Sequence, residues 1–203
     1  MMMWSKATTC HISLFFTKDD IGKPKTYALQ REIARRFDTT VRVVNSRVAS
    51  QLTQELQQVL FSSSLVIVCA DEPSVDAIAD YLSPIFLEHR IPHIVGGGYQ
   101  GHVSNTGMTI IPGQTSCWTC ADSIRFPRRL EKVEAIYTRG IHGTYPPTVN
   151  LVSSLLVADA VAVLTRLQPP LLVNRMGDFN WENGTVEWRY VQRNQDCRVC
   201  SMK

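Results

Sequence analysis

Two Cys-x-x-Cys motifs, far apart in the chain, restrict its folding more than anything else in the sequence: Cys117-Trp118-Thr119-Cys120 and Cys197-Arg198-Val199-Cys200. A two-residue spacer lets both sulfurs of such a knuckle face one ion, so the pairs can supply four thiolates to a single tetrahedral Zn2+. Between them lie 76 residues, far more than a compact zinc ribbon encloses. The knuckles can therefore meet only through the tertiary fold, and a shared metal would staple a long segment closed. Zinc binding of about 10 to 16 kcal/mol in small peptides indicates how strongly such a clasp can hold. Two redox dithiols or two disulfides are the alternative readings. A closed four-thiolate site leaves no position for substrate, so these motifs say how the chain is closed and not what it does.

Composition narrows the remaining classes. With 203 residues, 44% of them hydrophobic and 19% charged, the chain can bury a substantial core without disulfides and reads as one domain over residues 15–203, with residues 1–14 an unassigned leader. A net charge of +3 with dispersed basic residues gives no footprint for nucleic acid. The densest basic cluster, Arg125-Phe126-Pro127-Arg128-Arg129, reads as a solvated loop. Met1-Met2-Met3-Trp4 opens no apolar run of secretory length, and cysteines grouped in knuckles suit a reducing compartment, so a cytoplasmic location is expected. Cys69, inside an apolar run, reads as a buried core residue, and Cys10 as a leftover thiol. Residues 148–167 are the most apolar stretch but include Asn150, Asp159 and Arg166. They read as a buried core helix and not as a membrane span.

Taken in order, Asp19 to Lys25 forms a turn leading into a helix, with Pro24 in its first turn. Leu29, Ile33 and Phe37 recur on one face of that helix among Arg31, Glu32, Arg35 and Arg36. A short β-prone run follows at Val41-Arg42-Val43-Val44, then a helix over residues 51–60 carrying Leu52, Leu56 and Leu60. Leu65-Val66-Ile67-Val68-Cys69-Ala70 is apolar without alternation, as in a strand covered on both faces. A helix from Ser74 is expected to break at Ser83-Pro84. The next strand, Ile91 to Val95, runs into Gly96-Gly97-Gly98. This alternation marks an α/β domain with a parallel sheet. Further on, Met108 to Ile111 reads as a strand before the first knuckle, Pro146-Pro147 opens the long helix and Pro169-Pro170 stops it. Residues 171–174 and 184–191 read as antiparallel strands around a turn-rich stretch at 178–184.

In an open α/β sheet, ligands bind beyond the carboxyl ends of the strands. Asp71 stands at such an end, as does the triple glycine. Asp71 is suited either to holding Mg2+ beside a nucleotide or simply to capping a helix. Lys25 at a helix start is suited either to meeting phosphates or to lying in solvent.

The ordered series Ile21-Gly22-Lys23-Pro24-Lys25, Val44-Asn45-Ser46, Val68-Cys69-Ala70-Asp71 and Ile91-Pro92-His93-Ile94, followed by the two knuckles and the helix between them, resembles the ThiF/MoeB/HesA family, relatives of ubiquitin-activating enzymes. The resemblance covers roughly residues 15–201. It implies a Rossmann-like parallel sheet with a C-terminal antiparallel strand region and a four-cysteine zinc clasp. It also implies ATP-dependent adenylation of the C-terminal carboxylate of a ubiquitin-like protein, sulfur carrier or peptide. By position, Lys25 resembles the lysine that contacts the triphosphate, Asp71 the aspartate that binds Mg2+, and Asn45 and Ser46 the loop that holds the adenine. A homodimer, or a heterodimer with a family member, is the implied assembly.

The departures from the family pattern shape the expectation. Gly22 is the first glycine of the sequence, so the strand, glycine-rich turn and helix that cradle phosphate in the family have no counterpart here, which reads as an N-terminally truncated form with an incomplete ATP site. Residues 121–196 contain no cysteine, so thioester transfer through the crossover segment is not expected. The expected function is an adenylating protein impaired as a lone chain. The alternative is a non-catalytic, zinc-stabilised scaffold for a ubiquitin-like protein or a homologous subunit.

Overall fold

The first regular element forms where the sequence places a turn and a proline. The computed structural model describes residues 15–48, 51–70, 72–100, 103–125 and 146–201. The chain divides into one unit of residues 1–59 with 144–146 and a second of residues 60–143 with 147–203. In the first unit, the Thr17 amide and hydroxyl both donate to Asp20 Oδ2 at 2.9 Å and close a short 3-10 turn, Lys18–Asp20. Pro24 then precedes helix α1, Lys25–Arg36.

The face that α1 buries is not the aliphatic one. Ala28 and Glu32 are buried, while Leu29 and Phe37 are 37% and 61% exposed. Ion pairs account for the difference: Glu32 gathers Arg31, Arg35 and Arg36 at 3.2, 2.9 and 3.6 Å, and Arg31 forks onto both oxygens of Asp20 at 2.7 and 3.0 Å. The β-prone run at residues 41–44 forms no strand; Gln30 Nε2 instead ties it to α1, donating to the Val41 carbonyl at 2.7 Å. Helix α2, Gln54–Phe61, starts later than expected. Thr53 Oγ1 accepts from the Leu56 amide at 3.3 Å, a side-chain cap that leaves Leu52 outside the helix.

The second unit is built on a β-α-β crossover. Strand β1, Val66–Val68, helix α3, Val75–Glu88, and strand β2, His93–Val95, bring β1 and β2 into parallel register, Val66 opposite His93 and Val68 opposite Val95. Ser74 caps α3 by accepting from the Ala77 amide at 3.1 Å. Contrary to expectation, α3 continues through Pro84. Its buried residues Ile78, Ala79, Leu82, Phe86 and Leu87 offset the roughly 3 kcal/mol that an internal proline costs. Ser83 turns its hydroxyl to His93 at 2.8 Å instead of capping a second helix.

Strand β3, Tyr99–Gln100, β4, Val103–Asn105, and β5, Met108–Ile110, follow. β5 pairs with β2 in the antiparallel sense, so this three-stranded sheet is mixed, in the order β1-β2-β5. β2 and β5 are fully buried. β1 is an edge, Ile67 is 42% exposed and Cys69 is exposed, so neither matches the two-sided burial read from the apolar run. The triple glycine has a packing reason: a Cβ on Gly97 would stand 1.6 Å from the Asn105 carbonyl oxygen, so the chain leaving β2 passes against the β4–β5 turn where no side chain fits.

Helix α4, Pro146–Thr165, buries Val152, Leu156 and Ala160 against Ile94 and Leu172. Its opposite row, Val157, Val161 and Leu164, is 51–57% exposed, so α4 is only half covered. Asp159, 1% exposed, accepts from Thr109 Oγ1 at 2.6 Å and from the Leu171 and Leu172 amides at 2.6 and 2.8 Å. Those amides are therefore spent before any ladder begins. The first strand of the final hairpin, β6, is Arg175–Asn180, later than expected and inclusive of Asp178. Asn174 makes the bend at φ +56°. β6 pairs with β7, Thr185–Tyr190, completing an antiparallel sheet ordered β3-β4-β6-β7. No described helix is long and apolar enough to cross a membrane.

Candidate metal centre

The four knuckle cysteines converge. Cys117 and Cys120 flank the start of a 3-10 turn, Thr119–Ala121, beyond β5, and Cys197 and Cys200 follow β7. Their sulfurs all lie within 4.8 Å of one another. Cys117 and Cys120 are 3.7 Å apart, Cys117 and Cys197 3.6 Å, and Cys120 and Cys200 3.5 Å. A tetrahedral ion with metal–sulfur bonds of about 2.3 Å separates its ligands by about 3.8 Å. A disulfide would need about 2.05 Å, and all four thiols are free. The residues present fit a four-thiolate metal site and not two separate redox pairs.

Electrostatics favour a cation here. Burial pushes the Cys117 thiol well above the ordinary range, and burial raises Cys200 too. At Cys197 burial also acts upward, but the amides of Val199 and Cys200 and the neighbouring thiols outweigh it and bring the group down to about 7. Four thiolates this close repel one another and cannot all ionise without a positive partner. A metal ion supplies that charge. A cleft of about 910 Å³ opens beside the cluster, with Cys120, Cys197 and Tyr190 in its wall, which gives an entry path.

Groups that no motif marks hold the first knuckle. Asn174 Oδ1 accepts from the Ser116 amide at 2.7 Å and the Ser116 hydroxyl at 2.9 Å, fixing the residue before Cys117. Arg125, read from sequence as part of a solvated loop, is only 7% exposed. Its guanidinium lies 4.1 Å from the Trp118 ring centroid and pairs with Asp76 at 2.7 Å, Asp80 at 3.1 Å and Asp122. The remainder of that basic cluster, residues 126–129, lies outside the described residues. Trp118 thus ties the knuckle to α3 through a shared cation. The contacts of Arg125 with Asp76 and Asp80 and of Ser116 with Asn174 join residues 45 to 58 positions apart, beyond the reach of any local pattern.

The residues singled out for nucleotide chemistry are placed less completely. Lys25 is the first residue of α1 and is half-buried; among the described residues it meets no carboxylate. Asn45 is exposed, and the Ser46 amide donates a hydrogen bond to the Val44 carbonyl at 3.0 Å. All three belong to the first unit. Asp71 lies outside the described residues, as does Cys10. Of the predicted sets, the structure brings together the metal ligands.

Comparison with known proteins bears on the whole chain. The ThiF family model matches residues 10–199. No curated protein matches the sequence. Among solved structures, E. coli MccB with ATP is similar at 22% identity and a TM-score of 0.79, over 98% of this chain and 57% of that one. The Microcin C7 biosynthetic enzyme MccB in complex with N-formylated MccA is similar at 21% identity and a TM-score of 0.80, over 98% of this chain and 58% of that one. PaaA is similar at 13% identity and a TM-score of 0.72, over 93% and 62%. The chain spans less than two thirds of the length of these structures, and the likeness is one of fold.

Proposed function

The chain belongs to the ThiF family, and on that footing we propose that it serves ATP-dependent adenylation of a C-terminal carboxylate, belonging to a peptide, a sulfur carrier or a ubiquitin-like protein. The observation that carries this reading is the family match across nearly the whole chain. The fold it shares with MccB structures holding ATP or a peptide, MccA, adds support. In such a reaction a carboxylate oxygen attacks the α-phosphorus of ATP, an acyl-phosphate bond forms, and pyrophosphate leaves with the electron pair. Charge builds on the phosphate oxygens, so cationic groups around them lower the barrier. Lys25 supplies one such group at the start of α1, and Asn45 and Ser46 receive the adenine. Asp71 would hold Mg2+, which would supply further positive charge to such a reaction. The four cysteines hold a structural Zn2+, as their sulfur spacing supports. With no cysteine in residues 121–196, the activated acyl group leaves to an external nucleophile and not through a crossover thioester.

A second reading has its own support. The 203 residues carry no glycine before Gly22, so they contribute no glycine-rich phosphate loop, and the same fold would then act as a zinc-clasped scaffold for a ubiquitin-like tail or a homologous subunit. The half-covered face of α4, with Val157, Val161 and Leu164 exposed, suits pairing with a family member, and a cytoplasmic setting suits the free thiols. Calorimetry of ATP with Mg2+ on the metal-loaded protein separates the readings. Specific binding that vanishes in Asp71→Ala is the expected result. Absence of ATP binding in the wild type overturns adenylation by this chain alone and leaves the scaffold.

A further inference from the structure

We infer that Arg193 is a positioning residue of the four-cysteine centre, setting the second knuckle against the first together with the backbone of Asn194. The inference rests on reading that cluster as a metal site. Arg193 stands between the end of β7 and the second knuckle. Its Nη1 donates to the Gly113 carbonyl at 3.1 Å, on the loop that leads to Cys117, and its Nη2 donates to the Cys200 carbonyl at 2.9 Å. One planar guanidinium thus joins the second knuckle to the loop that leads into the first, a task suited to its rigid fork of donors and unsuited to an ammonium, which is a point charge. The next residue repeats the link through its peptide groups. The Asn194 amide donates to Cys120 Sγ at 3.5 Å, and the Asn194 carbonyl accepts from the Cys197 amide at 3.2 Å. Asn194 Oδ1 also accepts from the Asp196 amide at 2.9 Å, which holds the turn in shape.

The placement explains how two knuckles separated by 76 residues meet in one geometry. The Asn194 amide aims a donor at the Cys120 sulfur and fixes its direction. The guanidinium restrains Cys200 through its carbonyl, and nothing in the Cys-x-x-Cys motif itself fixes that approach. Groups of this kind orient metal ligands, and their loss typically costs roughly 10- to 100-fold in metal affinity. Arg193 is exposed and packs no core, so its removal should act on the ligands and leave the fold in place.

The test uses the full chain, with Zn2+ affinity measured by chelator competition and the site geometry read from the visible absorption of the Co2+-loaded protein. Arg193→Ala is expected to bind Zn2+ roughly 10- to 100-fold more weakly and to shift the Co2+ bands, with an unchanged circular dichroism spectrum when loaded. Arg193→Gln, which keeps a donor for one carbonyl, should fall between, and it carries the test if the alanine variant does not fold. Arg193→Lys should recover little. Affinity within about twofold of wild type in the alanine variant, or a lowered melting temperature with unmoved Co2+ bands, overturns the positioning role. A wild type that takes up well under one metal per chain overturns the metal reading itself, an outcome distinct from a wild type that binds and a variant that binds equally well.

Discussion

The two units of this chain are stabilised by opposite means. In the first, the buried groups around α1 include Asp20 and Glu32, and the contacts that organise them are the guanidinium bonds of Arg31, Arg35 and Arg36. In the second, Phe86, Ile94, Met108, Ile110 and Leu172 are fully buried, and an apolar cluster runs from Val95 and Met108 to the cysteines. Full burial of one such side chain contributes roughly 1.5 to 3 kcal/mol, whereas in the first unit the guanidinium partners stay 39–68% exposed, and solvent screening holds such pairs to about 1 kcal/mol or less each. The second unit therefore has the reserves to support a precise metal geometry. The first rests on its charged network, with Arg35 and Arg36 in the last turn of α1.

The largest effect that should divide the units is metal removal. Stripping the metal, or replacing Cys197 by Ala, leaves crowded thiols inside the apolar cluster that packs Met108 and Val191. The loss draws on a binding term of up to about 10 kcal/mol or more. Hydrogen exchange should show the amides of β5, β6 and β7 opening while those of α1 keep their protection. Equal loss of protection in α1 would mean that the stability of the first unit depends on the clasp, and the contrast would fail.

Next in size is Asp159→Ala. The change removes the carboxylate that Thr109, Leu171 and Leu172 share and takes their partner from two amides and a hydroxyl, of which those of Leu172 and Thr109 belong to fully buried residues. A cost of about 3 to 5 kcal/mol is expected, from unsatisfied buried groups at about 1 to 3 kcal/mol each. Denaturant melts of the metal-loaded protein measure it. A cost below about 1 kcal/mol would show that water replaces the carboxylate, and that polar burial matters less in the second unit than its geometry indicates.

How much of this could be read in advance depended on the range of the contacts. The Cys-x-x-Cys spacing is local, so the ligand set was legible, and the convergence of its halves was expected from it, although the contacts that bring them together were not. The caps of α3 and the start of α4 were legible from Ser74 and Pro146 for the same reason. By contrast, the delayed start of β6 and the burial of Arg125 follow from partners outside any local pattern, namely Asp159, 12 and 13 residues before the amides it holds, and Asp76 and Asp80, 49 and 45 residues before Arg125, while α3 continues through Pro84 on the burial of its own apolar face. The exposed edge at Ile67 misled for a related reason, since an unbroken apolar run does not say which side of a strand stays open. For Lys25, Asn45, Ser46 and Asp71 the sequence offered family resemblance, and the structure places the first three in one unit without adding a shared contact among them.

Mild acid should divide the units by the smallest margin, and the sign follows from two shifts. His93 is buried, with Nδ1 donating to the Ile91 carbonyl at 3.0 Å and Nε2 accepting from the Ser83 hydroxyl at 2.8 Å, and burial holds its pKa down to about 4. The unfolded chain binds that proton near pH 6.5. Stability from the neutral ring is therefore complete above about pH 6.5 and lost as pH falls toward 4, up to about 3 kcal/mol in the second unit. Asp20 is shifted the other way: bonds from Arg31 and Thr17 hold its carboxyl far below the usual range. Its contribution is present above the unfolded value near pH 3.9 and survives throughout the window in which His93 fails. Exchange rates followed from pH 7 to 4 should thus rise in β2 and α3 before they rise in α1. Thiolate protonation releases metal in the same direction, so His93→Gln is the control: it removes the imidazole proton and leaves the cysteines alone. Opening of β2 that is just as steep in His93→Gln would assign the acid response to the clasp and take the histidine out of the comparison.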